Sequence, residues 1–178
     1  MQKNISEKNK SENILTKLID KARTAGADSA DAISITSESI SVSQRLGKRE
    51  DLERSESNGY GLRVFIGKKQ SIVSSTNNSD YDINELIERA IEMAKVAPDD
   101  PYAGISEKNI KTKSFPKLNL LDKLEPSIED LYENISIAED AALSVKGVTN
   151  SEGAESSWSK STVALANTNG FFESYSGS

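Results

Sequence analysis

The 178-residue chain contains no cysteine and no histidine. Without thiols it has neither disulfides nor thiolate metal sites. Without imidazole, the Ser-His-Asp and Cys-His arrangements and the usual zinc donor sets are excluded within these residues. Long apolar runs are missing too: none approaches the roughly 20 residues that a membrane helix needs. The opening MQKNISEKNKSEN lacks the apolar core of a signal peptide, so the expected location is the cytoplasm. Positive charge is in the minority, with 22 Lys plus Arg against 28 Asp plus Glu and a net charge of -6. An acidic chain without a basic stripe repels phosphate backbones, which argues against direct nucleic-acid binding.

What is present is periodicity. Residues 1–10 read as a polar tail. Ile14, Leu15, Leu18, Ile19 and Ala22 then share one face of a helix that begins near Ser11 and ends at Gly26. Ile33 and Ile35 alternate with polar neighbours, as do Ile40 and Val42, which predicts two strands joined by a turn at Ser37 to Ser39. The second strand continues through RLGKREDLERSES, either a polar binding strip or a solvated strand face with cross-strand ion pairs.

The stretch SESNGYGLRVFIGKKQSIVSST carries Gly59, Gly61 and Gly67, followed by two lysines. A G-x-G-x-x-G loop would need its third glycine where Val64 stands, and a P-loop needs Ser or Thr where Lys69 stands. Both phosphate motifs fail on spacing. Leu62, Val64 and Ile66 instead alternate with Arg63 and Phe65, and Gly67-Lys68-Lys69 reads as a hairpin turn into Ser71-Ile72-Val73-Ser74. Gly59 and Gly61 suit a bend or bulge at the strand start.

A helix follows with Asp82 and Glu85 as a capping pair and an apolar stripe of Ile83, Leu86, Ile87, Ala90, Ile91 and Ala94, ending before Pro98. All four prolines lie in residues 98–126, which reads as a surface excursion. Ser127 and Asp130 cap a third helix whose stripe is Ile128, Leu131, Ile135, Ala138 and Ala142, running to Gly147. The last stretch reads as two strands joined by a type I′ turn at Asn169-Gly170, the second with no following partner, which suggests a longer natural chain. The fold class is therefore α+β: an antiparallel meander of about four strands covered by helices, then a further β-hairpin, all within residues 11–178.

No self-contained active site emerges. Ser157-x-x-Lys160 has the S-x-x-K spacing of penicillin-recognising enzymes, but in a strand these two residues point to opposite faces. Asp99-Asp100 and the pair Glu152 and Glu155 are candidates for acid-base work or a hard cation, and equally for turn residues beside Pro and Gly. Trp158 and the Phe171-Phe172 pair can anchor a ligand or a partner, or simply pack.

Three blocks in this order, Gly59-Tyr60-Gly61-Leu62-Arg63-Val64-Phe65, Asp100-Pro101-Tyr102-Ala103-Gly104 and Asn150-Ser151-Glu152-Gly153-Ala154, resemble the N-terminal half of the TldD/PmbA family, on the PmbA (TldE) side. The resemblance implies a cytosolic bacterial proteolytic complex in which a TldD-type subunit carries zinc through a His-Glu-x-x-x-His motif. A PmbA-type subunit without metal ligands pairs with it, and the complex degrades or trims unfolded peptides. An older description makes the PmbA type a modulator of DNA gyrase, hence a non-catalytic protein-binding module. No catalytic, metal-binding or cofactor residue of the family maps onto this sequence, so zinc is expected in the TldD-like partner. The family chain is more than twice this long, which implies an N-terminal portion.

Overall fold

The computed structural model describes residues 2–77, 79–106, 118–122 and 124–178, with side chains from residue 10 onward. In chain order the elements are α1 (Gln2–Thr24), β1 (Ser29–Arg45), β2 (Lys48–Ile66), β3 (Lys69–Ser75), α2 (Asp80–Val96), α3 (Ile128–Leu143), β4 (Ala154–Asn167) and β5 (Phe172–Gly177). The strands form one antiparallel sheet in the order β3-β2-β1-β4-β5. The α+β class, the meander and the closing hairpin are those the sequence predicts. Residues 1–36, 57–118 and 162–175 make one compact unit, and residues 37–56, 119–161 and 176–178 make a second.

The first unit is built on the hairpin from β2 to β3. Its register pairs Tyr60 with Ser75, Leu62 with Val73 and Ile66 with Lys69. The turn places Gly67 at φ 59°, and its N–H donates to the Asp28 carboxylate at 2.7 Å. Leu62, Val64 and Val73 enter a core with Leu15, Leu18, Ile19 and Ala22 of α1 and the full predicted stripe of α2. Each buried leucine or isoleucine there contributes about 2 kcal/mol by leaving water. α2 starts one turn earlier than the Asp82 and Glu85 pair suggests. Its N-cap is Ser79, whose hydroxyl accepts the Asp82 N–H. The Asp82 carboxylate in turn accepts the Ser79 hydroxyl, so Asp82 occupies the third helical position and not the cap. α1 begins at Gln2, nine residues before the predicted start at Ser11.

The second unit has a smaller core of Ile40, Val42, Leu131, Tyr132 and Ile135, against which Ile128, Ala154 and Trp158 pack. α3 carries the predicted capping box between Ser127 and Asp130. Its buried stripe differs from prediction: Tyr132 and Glu139 take the places expected of Ala138 and Ala142, which are exposed.

Two strand boundaries also differ. β1 is one strand, without a turn at Ser37 to Ser39. Ala30, Ala32 and Ser34 are buried, whereas Ile33 is half-buried and Ile35 exposed. Small residues carry the covered face because α1 packs into the same core, so the apolar alternation of the isoleucines marks the other face. The real turn falls at Leu46-Gly47, inside the charged run, with φ of 48° and 72° as a type I′ turn requires. At Asn169-Gly170 only Gly170 has positive φ, and the Gly170 N–H donates to the Asn167 carbonyl, so that loop is a type I turn followed by a left-handed glycine.

Candidate functional site

Most residues singled out in the sequence turn out to shape the chain. The Asp100 carboxylate accepts the Tyr102 N–H at 2.9 Å and the Gln70 amide at 3.1 Å, while its backbone N–H donates to the Lys68 carbonyl. It thereby clamps the Asp100 to Gly104 block onto the turn between β2 and β3 and buries Ala103. Asp99 is exposed beside it. Gly153 has φ 115°, and a Cβ there would stand 2.9 Å from the Gln44 carbonyl oxygen, so this family block is a close backbone crossing. Glu152 and Glu155 flank it, both exposed. Ser157 is exposed in β4, while Lys160 pairs with Glu38 at 3.4 Å. The two therefore do not meet. Trp158 packs on the smaller core with its Nε1 buried and, among the described residues, unbonded, and Phe172 packs on the larger one.

The donor set of a zinc site is not assembled among the described residues. Imidazole and thiolate are absent, and among the described residues no three acidic groups converge. The acidic pairs highlighted in the sequence serve turns or face solvent, a poor match to a closed tetrahedral site.

Sequence reasoning passed over the most constrained carboxylate. Glu139 of α3 is buried, and accepts the Leu46 N–H at 2.7 Å, the Gly47 N–H at 2.9 Å and the Gln44 amide at 3.2 Å. The bond from the Gly47 backbone, then those from Leu46, Ser151 and Gln44, outweigh burial and hold its pKa down to about 2. Its role is architectural: an anion caps the two exposed N–H groups of a turn. The available signal was an acid four residues after Ile135, on the apolar face of α3.

The first unit carries an open cleft at the end of the hairpin. β3 stops at Ser75, the partner of Tyr60, while β2 continues on its N-terminal side. A cleft of about 650 Å³ opens there. Ile33, Ile35, Gly59 and Gly61 line one side, and Asp82, Glu85 and Arg89 of α2 the other. Gly61 sits tight against Ile33, where a Cβ would come within 2.9 Å of Cγ2, but a Cβ on Gly59 would meet nothing within 4 Å. Gly59 thus keeps the cleft open. Its volume falls within the range of small-molecule and peptide side-chain pockets. On β2, Arg63 is held by Asp31, whose hydrogen bonds raise the guanidinium pKa.

Comparison with known proteins gives these blocks a context. Residues 30–94 match the family model described as PmbA/TldA metallopeptidase domain 1. Metalloprotease PmbA of Escherichia coli O157:H7 is 29% identical over 150 residues, covering 84% of this chain and 33% of that protein. Among solved structures, a candidate modulator of DNA gyrase from Bacteroides thetaiotaomicron superposes with a TM-score of 0.81 at 16% identity, over 93% of this chain and 38% of the other. TldE from Thermococcus kodakarensis gives 0.69 at 20% identity, over 92% and 37%. The structural likenesses establish the shared fold, and the chain spans about a third of the length of the curated relative. With its matched first domain, its curated PmbA relative and the fold it shares with TldE, the chain is PmbA/TldE-like.

Proposed function

We propose that this chain serves as the PmbA-type side of a two-subunit metalloprotease, assembling with a TldD-like subunit that holds the zinc and hydrolyses unfolded peptides. One observation carries the reading: a metallopeptidase-type chain whose sequence has no histidine or cysteine, and whose family blocks are built as joints. Gly61 fits against Ile33, Asp100 locks a loop onto a hairpin, and Gly153 crosses a carbonyl. The two glycines have no reactive side chain, and the Asp100 carboxylate is engaged by the Tyr102 N–H and the Gln70 amide. Zinc in the partner would activate the attacking water, and this chain would contribute walls and strand edges. The assembly belongs in the cytoplasm; among the described residues no helix is long and apolar enough to cross a membrane.

A tagged form of the chain, expressed in bacteria beside a TldD-like subunit, should recover that subunit on affinity purification. The recovered pair should cleave an unfolded peptide that the chain alone leaves intact. A second reading follows from the solved neighbour described as a gyrase modulator: a binding module acting on a protein partner without proteolysis. Recovery of gyrase with no TldD-like subunit would replace the first reading by the second.

A further inference from the structure

We infer that the cleft beside Gly59 is a docking slot for an extended peptide strand that alternates apolar and basic side chains. The reading of the chain as a protease subunit makes a peptide ligand natural, but the slot is argued from its own geometry. The ladder between β2 and β3 ends at the pair Tyr60 and Ser75, and among the described residues no strand continues it beside Ser57 and Asn58. A strand edge that stops being paired while its strand runs on is the template for strand addition. The cleft lies at that point.

Its two flanks differ in chemistry. An added strand would present successive side chains to opposite faces of the sheet. On the face away from the helices lie Ile33 and Ile35, with Gly59 leaving room beside them. An apolar side chain fits there. On the other face lies the N-terminal half of α2. Its Asp82 carboxylate is engaged by Ser79, and its Arg89 guanidinium donates to the Ser74 carbonyl at 3.4 Å. Among the described residues Glu85 makes no hydrogen bond or ion pair, and it carries the charge of that wall that is left to a ligand. A lysine or arginine at the neighbouring position of the strand complements it. The alternation of apolar and basic residues thus follows from the two faces of one strand.

Fluorescence polarisation on the full 178-residue chain tests this. Three labelled heptapeptides serve as probes: alternating lysine and valine, alternating glutamate and valine, and the first with alternate amides N-methylated. The lysine-valine peptide should bind at least tenfold more tightly than the other two. Gly59→Val places its Cβ in open space and leaves the charge unchanged, so it should weaken that peptide tenfold or more with the melting curve preserved. Glu85→Gln, on the helix surface, should weaken it about two- to fivefold, as expected for an exposed ion pair. Equal binding of the lysine and glutamate peptides, or unchanged binding by Gly59→Val, overturns the inference. So does a dimer of the chain that Gly59→Val abolishes, which would assign the slot to a second copy. Recovery of a TldD-like subunit is a separate readout, so the slot can fail while the assembly stands.

Discussion

At the residue scale the turn from β1 to β2 shows how one buried carboxylate supports an unfavourable backbone. Leu46 adopts φ 48°, a conformation that costs a branched L-residue about 1–2 kcal/mol. The Glu139 carboxylate offsets this by accepting both turn N–H groups. Leu46→Asn should raise stability by about 0.5–1 kcal/mol in urea titration, since asparagine tolerates the left-handed region and the leucine side chain is half exposed. Glu139 makes the complementary prediction in pH. Its folded pKa of about 2 lies below the ordinary 4.5, so its contribution is complete above about pH 4.5 and is lost as pH falls towards 2. Glu139→Gln should therefore be less stable than the wild type at neutral pH, and the two should converge near pH 2. The single tryptophan, Trp158, packs in the same small core and reports the transition by fluorescence. A constant difference across that range would remove the charge from the explanation.

At the element scale, legibility in the sequence tracks how closely a residue's chemistry coincides with its geometry. The stripe of α2 reads correctly because six apolar residues at helical spacing are all buried. The capping box of α3 and the turn at Gly67 read correctly because their side chains or φ values have few alternatives. β1 misleads because Ala30 and Ala32 face the core while the larger Ile33 and Ile35 face away, so the phase change at Ile40 looks like a turn. The turn at Leu46-Gly47 was illegible because a leucine occupies its left-handed position, and the acid that supports it lies 93 residues further on. The cleft could not be read either, since Gly59 and Glu85 belong to elements whose juxtaposition only the fold supplies. Gly153 tests the joint interpretation of the family blocks. Gly153→Ala would push a methyl group towards the Gln44 carbonyl at a φ of 115°, and should cost about 2–3 kcal/mol in chemical denaturation. A change below about 0.5 kcal/mol would show that the crossing relaxes freely.

On the scale of the whole molecule, composition constrains function more tightly than any motif. The chain has no histidine and no cysteine, carries a net charge of -6 and spans about a third of its curated relative, so imidazole and thiolate chemistry lies outside these residues. The glycines that evoke a phosphate loop belong instead to a hairpin, where Gly67 turns the chain, Gly61 allows close packing and Gly59 leaves a slot. The most direct test of the central claim is metal analysis of the tagged chain purified alone and again after co-expression with a TldD-like subunit. The account predicts zinc only in the co-purified sample, in proportion to the TldD-like subunit recovered. Stoichiometric zinc on the chain alone would contradict it.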